Sequence, residues 1–257
     1  MSRTKVWAHQ QRFTAAVAQL PDRLERATTP AGAVCVIDAA TEGVDGVRRL
    51  LEAGPAAVVL THPAHASRAA MELLTDAAAP VVVDRPFLRP DDVEAARGVA
   101  VRHVLVDVVS GPADFRAALL DGIGWLRFLA GAPVSVVSAD RTPDAVLAEV
   151  VGHGGLTAVL TATRQDTSIA PALSVDGLGA TRLEVEIDAV AGIRRSSIHD
   201  ADGVLTRPGR YEARERLALR RALDAIAGAA CDDLAELNHD AGIAELILGV
   251  PDRGALL

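Results

Sequence analysis

The sequence predicts a parallel α/β domain over residues 1–98, followed by an α+β domain over residues 99–257 in which helices accompany an open antiparallel sheet. Two observations support this fold class. Up to about residue 90, short continuous apolar runs alternate with amphipathic helical stretches, as in parallel sheets that are buried on both faces. Beyond Arg97, strand-like runs follow one another across short Gly-rich breaks, which is typical of antiparallel sheets.

The first half of the chain contains strands that alternate with helices. Its apolar runs are short enough for strands and continuous enough to be buried on both sides of a sheet. The helices end at breakers, for example at Pro21 and at Gly54 with Pro55. Strand–helix–strand units of this length imply right-handed crossovers and therefore a Rossmann-like domain. In order, the elements are strand 5–8, helix 13–20, strand 33–38, helix 44–53, strand 56–60, helix 66–77 and strand 80–84.

The second half begins with a long strand and one helix that is closed by Gly131. Six further strand-like runs follow, and their short connections predict an antiparallel sheet. Two helices end the chain. In order, the elements are strand 101–109, helix 115–130, strands 134–139, 146–151, 156–162, 172–175, 181–187 and 193–198, and helices 212–227 and 232–248.

Composition limits the possible partners and ligands. The chain is 50% hydrophobic but only 3% aromatic, so its core is expected to consist of aliphatic side chains. A net charge of -8 argues against nucleic acid as a partner, because phosphate backbones attract basic surfaces. Cys35 and Cys231 are too few and too far apart for a disulfide framework or a zinc site, and we expect no metal.

The usage of basic residues is also unusual. Lys5 is the only lysine, and the preference for arginine, with abundant alanine, valine and glycine, is typical of a GC-rich bacterial genome. We identify no signal peptide and no apolar run of about 20 residues. We therefore expect a cytoplasmic protein without a membrane segment.

Three motifs resemble those of the Gfo/Idh/MocA oxidoreductase family. The run THPAH at 61–65 resembles the family's strand that ends in Thr-Pro with a histidine nearby, and VDRPFL at 83–88 resembles its strand that ends in Glu-Lys-Pro-Leu. The stretch 121–131 resembles the first helix of the family's substrate domain. The order of these motifs and the matching second half cover most of the chain. The resemblance implies an NAD(P)-dependent oxidoreductase that acts on a sugar, polyol or related small metabolite.

The chain departs from this family at the cofactor turn. Family members bind NAD(P) on a Gly-rich turn after the first strand, whereas residues 9–13 here read HQQRF and the first glycine is Gly32. Side chains would occupy the space that the pyrophosphate needs. We therefore expect no bound cofactor. If NAD(P) does bind, the resemblance places Asp38 on its ribose and Thr61 beside it.

The family's proton-transferring residues are also replaced. Its lysine corresponds to Arg85, and lowering the pKa of an arginine to near neutrality would cost about 8 kcal/mol. The Asp and His of its substrate-domain helix correspond to Ala117 and Asp121, and the segment between Pro86 and Val101 is short. These replacements predict that hydride transfer with NAD(P) is weakened or lost.

Four residues remain as candidates for a catalytic role. Arg85 would hold an anionic group of a small ligand, since a guanidinium forms a fork suited to carboxylate or phosphate. Asp84, His65 or Asp121 would then move protons. The alternatives are that Arg85 pairs with Asp84 or Asp107 as a structural brace, that Asp121 is a solvated or capping residue, and that His65 has a structural role or is simply exposed.

Three classes of function therefore stay open: an oxidoreductase of the family type, a non-redox biosynthetic enzyme such as a cyclase, lyase or isomerase, and a non-catalytic partner subunit of an intact relative.

The open sheet adds an expectation about assembly. Because a wide apolar sheet face is unstable in water, such sheets commonly pack against another subunit, and we expect a homo-oligomer.

Overall fold

The computed structural model describes residues 3–165, 171–189, 191–207 and 212–250. Their strands are β1 (Thr4–Trp7), β2 (Leu24–Arg26), β3 (Val34–Asp38), β4 (Ala57–Thr61), β5 (Val81–Val83), β6 (Val101–Ser110), β7 (Ser135–Arg141), β8 (Ala145–Val151), β9 (Thr157–Arg164), β10 (Ala172–Gly179), β11 (Arg182–Asp188), β12 (Ile193–Asp200) and β13 (Gly203–Arg207). Their helices are α1 (Gln11–Ala18), α2 (Val44–Glu52), α3 (Arg68–Thr75), α4 (Pro90–Ala95), α5 (Phe115–Ala130), α6 (Arg214–Ile226) and α7 (Asp233–Leu248).

The chain forms two compact units. Unit 1 is Met1–Arg85 with Tyr211–Asn238, and unit 2 is Pro86–Arg210 with His239–Leu257. The sequence predicted a single division at residue 98, without a return of the chain to the first unit. The return arises because α6 packs on β4, β5 and α1, which lie far from it in the sequence.

Unit 1 contains the predicted parallel sheet, in the order β2-β1-β3-β4-β5. The predicted elements of this half are all present, and their ends differ from the prediction by no more than two residues. The strand β2 was not predicted, because three residues without an apolar run give no local signal. Its pairing with β1, in which Leu24 lies opposite Thr4, defines it instead.

One face of this sheet packs against α1 and α6. Val6, Val34 and Val36 form the strand side of this layer. The helices contribute an equally aliphatic surface, with one aromatic side chain: Phe13, Ala16, Val17, Ala218, Leu219 and Ala222. Cys35, Ile37, Val58 and Leu60, which alternate with these core residues, point to the other face and are at most 1% exposed, so the central strands are buried on both sides, as their continuous apolar runs predicted.

Unit 2 contains an eight-stranded sheet in the order β13-β12-β11-β10-β6-β9-β8-β7. Its pairs are antiparallel, as predicted, with the exception of β6 and β9, which are parallel. The parallel pair arises because α5 carries the chain from β6 across the sheet, and the hairpin of β7 and β8 then returns β9 beside β6. The strand β13 and the short helix α4 were not predicted as elements.

The inner face of this sheet packs on α5. Val104, Val106 and Val108 of β6 are buried, whereas Leu105 between them is 47% exposed. The helix approaches closely at Gly122, where a Cβ would lie 3.1 Å from Val108 and 3.2 Å from Leu160. On the outer face, Leu105, Leu147 and Val159 are exposed.

The helix α4 is attached to β12 by a buried ion pair. Nη1 of Arg194 lies 2.6 Å from Oδ2 of Asp92, and the same guanidinium donates to the carbonyl of Pro86. Burial raises the pKa of Asp92, although the guanidinium opposes this effect.

In the described residues, we find no helix that is long and apolar enough to cross a membrane.

Candidate functional site

Polar side chains gather at the carboxyl edge of the parallel sheet in unit 1. His9 and Gln10 follow β1, Asp38 ends β3, Thr61 ends β4, and His62 comes next. In the sheet, β1 lies between β2 and β3. The chain therefore moves from β1 to β2 in one direction, and the strands from β3 onward are added in the opposite direction. Ligands of open α/β sheets bind at the carboxyl edge where the strand order reverses in this way.

The side chain of Gln10 lies across the end of β3. Its Nε2 donates to Oγ1 of Thr61 at 2.9 Å, and the Thr61 hydroxyl donates to the carbonyl of Ile37 at 3.1 Å. Thr61 is only 1% exposed, so this chain of hydrogen bonds is anchored in the core. Gln10 thus connects the turn after β1 to the end of β4.

The turn after β1 lacks the glycines of a dinucleotide-binding Rossmann turn. A Rossmann turn needs glycines so that its backbone can approach the phosphates. Here the turn from β1 to α1 contains Ala8, His9 and Gln10, and the Gln10 side chain is hydrogen-bonded to Thr61 over the sheet edge. The hydroxyl of Thr61, the predicted nucleotide contact, therefore already forms hydrogen bonds with Gln10 and with the carbonyl of Ile37.

Asp38 and His62 form a second hydrogen-bonded pair at the same edge. Nδ1 of His62 lies 2.8 Å from Oδ1 of Asp38, which also accepts from the N–H of Ala40 at 3.0 Å. Because a carboxylate only accepts, Nδ1 carries a proton in this contact, and in the neutral imidazole Nε2 is then the acceptor. The side chain of His62 is 48% exposed, so a ligand can reach that nitrogen.

The backbone of His62 is in the left-handed region, with φ 49° and ψ 50°. Within the ranges that the structure describes, it is the one non-glycine residue with positive φ. Such a conformation costs of order 1–3 kcal/mol and concentrates at functional sites. It turns the chain sharply between β4 and Pro63, and the resulting position brings the imidazole to Asp38.

Asp84 and Arg85 follow β5 and are buried in unit 1, at 6% and 7% exposure. Nε of Arg214 in α6 lies 3.5 Å from Oδ2 of Asp84. Asp107, one predicted partner of Arg85, belongs to unit 2, where it accepts a hydrogen bond from Thr161. Asp84 and Arg85 thus end the strand next to the one that ends at Thr61.

Asp121 lies in α5 of unit 2 and is 2% exposed. Its Oδ2 accepts from the N–H of Phe87 at 2.8 Å, and Nε1 of Trp125 donates to the carbonyl of Phe87 at 2.8 Å. Two side chains of α5 therefore bind the backbone N–H and the carbonyl of Phe87.

His65, in unit 1, lies in a 3₁₀ turn, Pro63–His65, and is exposed.

The pairs at the edge could not be identified from the sequence. Asp38 lies opposite Thr61 through the register of β3 and β4, and this register brings His62 within reach of Asp38. Gln10 and Thr61 are separated by 51 positions. In the described part of the chain, no three His, Cys, Asp or Glu side chains come together as metal ligands would.

No protein-family model matches this sequence, and no curated protein matches it. Solved structures do share its architecture. UDP-N-acetylglucosamine 3-dehydrogenase GnnA from Acidithiobacillus ferrooxidans has a TM-score of 0.68 at 13% identity, over 96% of this chain and 97% of that one. The dehydrogenase MviM from Clostridium difficile has a TM-score of 0.70 at 12% identity, over 96% and 98%.

The fold is that of the Gfo/Idh/MocA oxidoreductases. A further neighbour is a point mutant of KijD10, a 3-ketoreductase from Actinomadura kijaniata, in complex with TDP-benzene and NADP. It has a TM-score of 0.70 at 14% identity, over 96% of this chain and 98% of that one. The structural neighbours are thus dehydrogenases and ketoreductases, and their sequences are only distantly similar to this one.

Proposed function

We propose that the protein binds and acts on a small metabolite at the carboxyl edge of unit 1, and that NAD(P)-dependent hydride transfer is weakened or lost. The fold supports descent from an oxidoreductase. The observation that carries the proposal is the hydrogen bond from Gln10 to Thr61 at the carboxyl edge, which is where ligands of open α/β sheets bind.

Two physical effects oppose nicotinamide binding in this chain. A pyrophosphate would have to break the Gln10–Thr61 bond and displace the side chains of the turn, which leaves the buried Thr61 hydroxyl with one partner fewer. In addition, Arg85 stays charged at any pH at which proteins function, so it cannot exchange a proton with a substrate hydroxyl.

Calorimetric titration with NAD⁺, NADH, NADP⁺ and NADPH tests this proposal. We expect no saturable binding up to about 1 mM. The variant His9→Gly/Gln10→Gly removes the obstructing side chains, while Gln19→Gly changes a glutamine at the other end of α1 as a matched control. Weak binding that appears only in the double variant supports the proposal, and micromolar affinity in the unmodified chain contradicts it.

A second candidate, a non-redox proton transfer, is favoured by the Asp38–His62 pair. Asp38 holds the imidazole in one tautomer, so Nε2 is a positioned base. Arg85 is the proposed binding residue for an anionic group of the same substrate. The substrates that suit such a pair are small carboxylic acids with an acidic C–H bond next to a carbonyl. Asp84, His65 and Asp121 stay as the alternative proton carriers.

Deuterium exchange tests the second candidate without knowledge of the full reaction. The protein is incubated in D₂O with pyruvate, 2-oxoglutarate and acetoacetate, and the loss of C–H signals is followed by proton NMR. We expect exchange above the buffer rate for at least one acid, with a loss of about 100-fold in His62→Asn and in Arg85→Gln. His153→Asn, in unit 2, serves as the control. Equal rates in protein and buffer, or an unchanged rate in His62→Asn, would contradict this role.

We also propose that unit 2 mediates homo-oligomerisation through the outer face of its sheet. Leu105 and Val159 are register partners on this face, and Leu147 lies on the neighbouring strand β8. Their exposed fractions are 47%, 38% and 48%. Adjacent exposed aliphatic side chains of this kind are what a partner subunit would bury.

Sedimentation velocity at micromolar concentration tests the assembly. The unmodified chain should sediment as a dimer or larger species, and Leu105→Asp should shift it toward the monomer, since a charge would be buried in the interface. Leu246→Asp is the matched control, because Leu246 is an exposed leucine, at 62%, that belongs to α7 and not to a strand of the sheet. A monomeric unmodified protein would exclude the proposal.

A further inference from the structure

The crossover from β2 to β3 in unit 1 has no helix. It must pass over β1, because the strand order is β2-β1-β3, and it consists of residues 27–33 alone. Crossovers between parallel strands of one sheet usually need a dozen or more residues, most often with a helix that covers the sheet. Part of one sheet face therefore lacks its usual cover.

The alternation of side chains along β3 identifies this face. Val34 and Val36 point toward the core formed with α1 and α6, so Cys35 and Ile37 point to the opposite side. Sγ of Cys35 lies 3.4 Å from the carbonyl oxygen of Pro30, which places the crossover on that opposite side. Leu50 of α2 borders the same region, so the crossover and α2 lie side by side over the sheet.

A cavity of about 280 Å³ lies between them. The apolar residues that line it are Trp7, Pro30, Val36, Ile37 and Leu50. Trp7 is only partly buried, although β1 is an inner strand of the sheet. The volume is close to the lower limit for small-molecule sites and is sufficient for one or two fused rings.

Two opposite charges border this apolar cavity. Glu42 and Arg49 both line it, and within the described ranges neither side chain forms a hydrogen bond or ion pair. Arg48, the next residue on α2, instead pairs with Asp45 at 2.8 Å and does not line the cavity. A Cβ at Gly46 would collide with Oε2 of Glu42, so the glycine leaves room for this carboxylate.

We propose that this cavity, which lies beside the carboxyl ends of β1 and β3 and is lined by none of Gln10, Asp38, Thr61 or His62, binds a small heteroaromatic carboxylic acid. The ring system lies among Trp7, Pro30 and Leu50, where burial of its faces is favourable. The carboxylate of the ligand binds the guanidinium of Arg49, and a ring N–H donates to Glu42. The cavity thus selects for a molecule that carries an acid and a donor on a planar apolar body.

Calorimetric titration with indole-3-acetate as the probe tests the site. Two analogues each remove one feature: 1-naphthaleneacetate lacks the ring N–H, and indole lacks the carboxylate. We expect saturable binding of indole-3-acetate in the micromolar to low millimolar range, and weaker binding of both analogues. Arg49→Gln should lower the affinity for indole-3-acetate by about tenfold and leave the affinity for indole unchanged. Arg48→Gln should change neither affinity.

Three outcomes would overturn the proposal: no saturable binding of indole-3-acetate up to about 10 mM, equal affinities in Arg49→Gln and Arg48→Gln, or equal affinities for all three probes. Leu50→Trp provides an independent check, because a larger side chain that fills the cavity should abolish binding of every probe. The melting temperature of each variant confirms that it is folded. None of these variants alters Gln10 or His62, so the result is independent of the nicotinamide and exchange experiments.

Discussion

The two sheets of this protein use their side chains in different ways. In β3 of unit 1, the residues from Val34 to Ile37 are all at most 5% exposed, because helices or the crossover cover both faces. In β6 of unit 2, Val104 is 4% exposed and Leu105 is 47% exposed, because only the inner face packs on α5. The buried central strands of the parallel sheet therefore offer polar groups at their ends, as at Asp38 and Thr61, whereas the eight-stranded sheet also exposes side chains such as Leu105 along its second face.

The largest expected effect distinguishes the two tryptophans. Trp125, on α5 of unit 2, is fully buried and donates to the carbonyl of Phe87, whereas Trp7 is partly exposed in unit 1. Trp125→Ala should lower the free energy of unfolding by about 3–5 kcal/mol. Trp7→Ala should cost about 1–2 kcal/mol, because the cavity beside it already leaves part of the ring unpacked. Urea unfolding of both variants measures the difference, and equal losses would contradict the proposed difference in packing.

A pair of glycines tests how closely α5 packs on the sheet. Gly122→Ala should destabilise by about 1–3 kcal/mol, because the new Cβ is crowded by Val106, Val108 and Leu160. Gly242→Ala on α7 meets nothing within 4 Å and should stabilise by about 0.5–1 kcal/mol through helix propensity. Opposite shifts in the thermal midpoint are expected, and a neutral Gly122→Ala would show that the sheet yields at this point.

A third test concerns the strand end in unit 1. His62→Val places a β-branched residue in the left-handed region, and we expect it to be less stable than His62→Gly by about 1–2 kcal/mol. Both variants remove the imidazole, so the hydrogen bond to Asp38 is lost equally from each. The comparison therefore isolates the backbone conformation. Equal stabilities would mean that this backbone is not left-handed in solution.

The smallest expected effect on stability at neutral pH concerns Cys35, whose thiol is buried in the parallel sheet. Burial raises the pKa of the Cys35 thiol from 9.0 to about 12. The unfolded chain therefore loses this proton at a lower pH than the folded chain, so stability should fall as the pH rises from about 9 toward 12. Urea unfolding at rising pH measures the slope, which Cys35→Ala should reduce. If the variant keeps the full slope, other groups determine it.

Local patterns in the sequence were sufficient to predict much of the fold. Continuous apolar runs such as 33–38 predicted the parallel strands, because burial on both faces leaves no alternation. The helix at 115–130 and its closing Gly131 were also predicted, and both are confirmed. The absence of glycine from the turn after β1, and the presence of arginine at position 85, are properties of the sequence itself.

The candidate site was predicted only in part. The sequence identified Asp38 and Thr61 at the ends of their strands, but as contacts of a nucleotide. Their hydrogen bonds to His62 and Gln10 depend on which strands are neighbours and in which register. Residues far apart along the chain carry no local signal of such pairing.

Only the tertiary structure decided the remaining features. Among these are the parallel pairing of β6 with β9, the packing of α6 in unit 1, and the cavity beside Trp7. The spacing of apolar residues along a segment shows which of its faces is buried, because side chains on one face recur every three to four residues in a helix and every two in a strand. The choice of neighbour depends on long-range packing, which no single segment of this sequence contains.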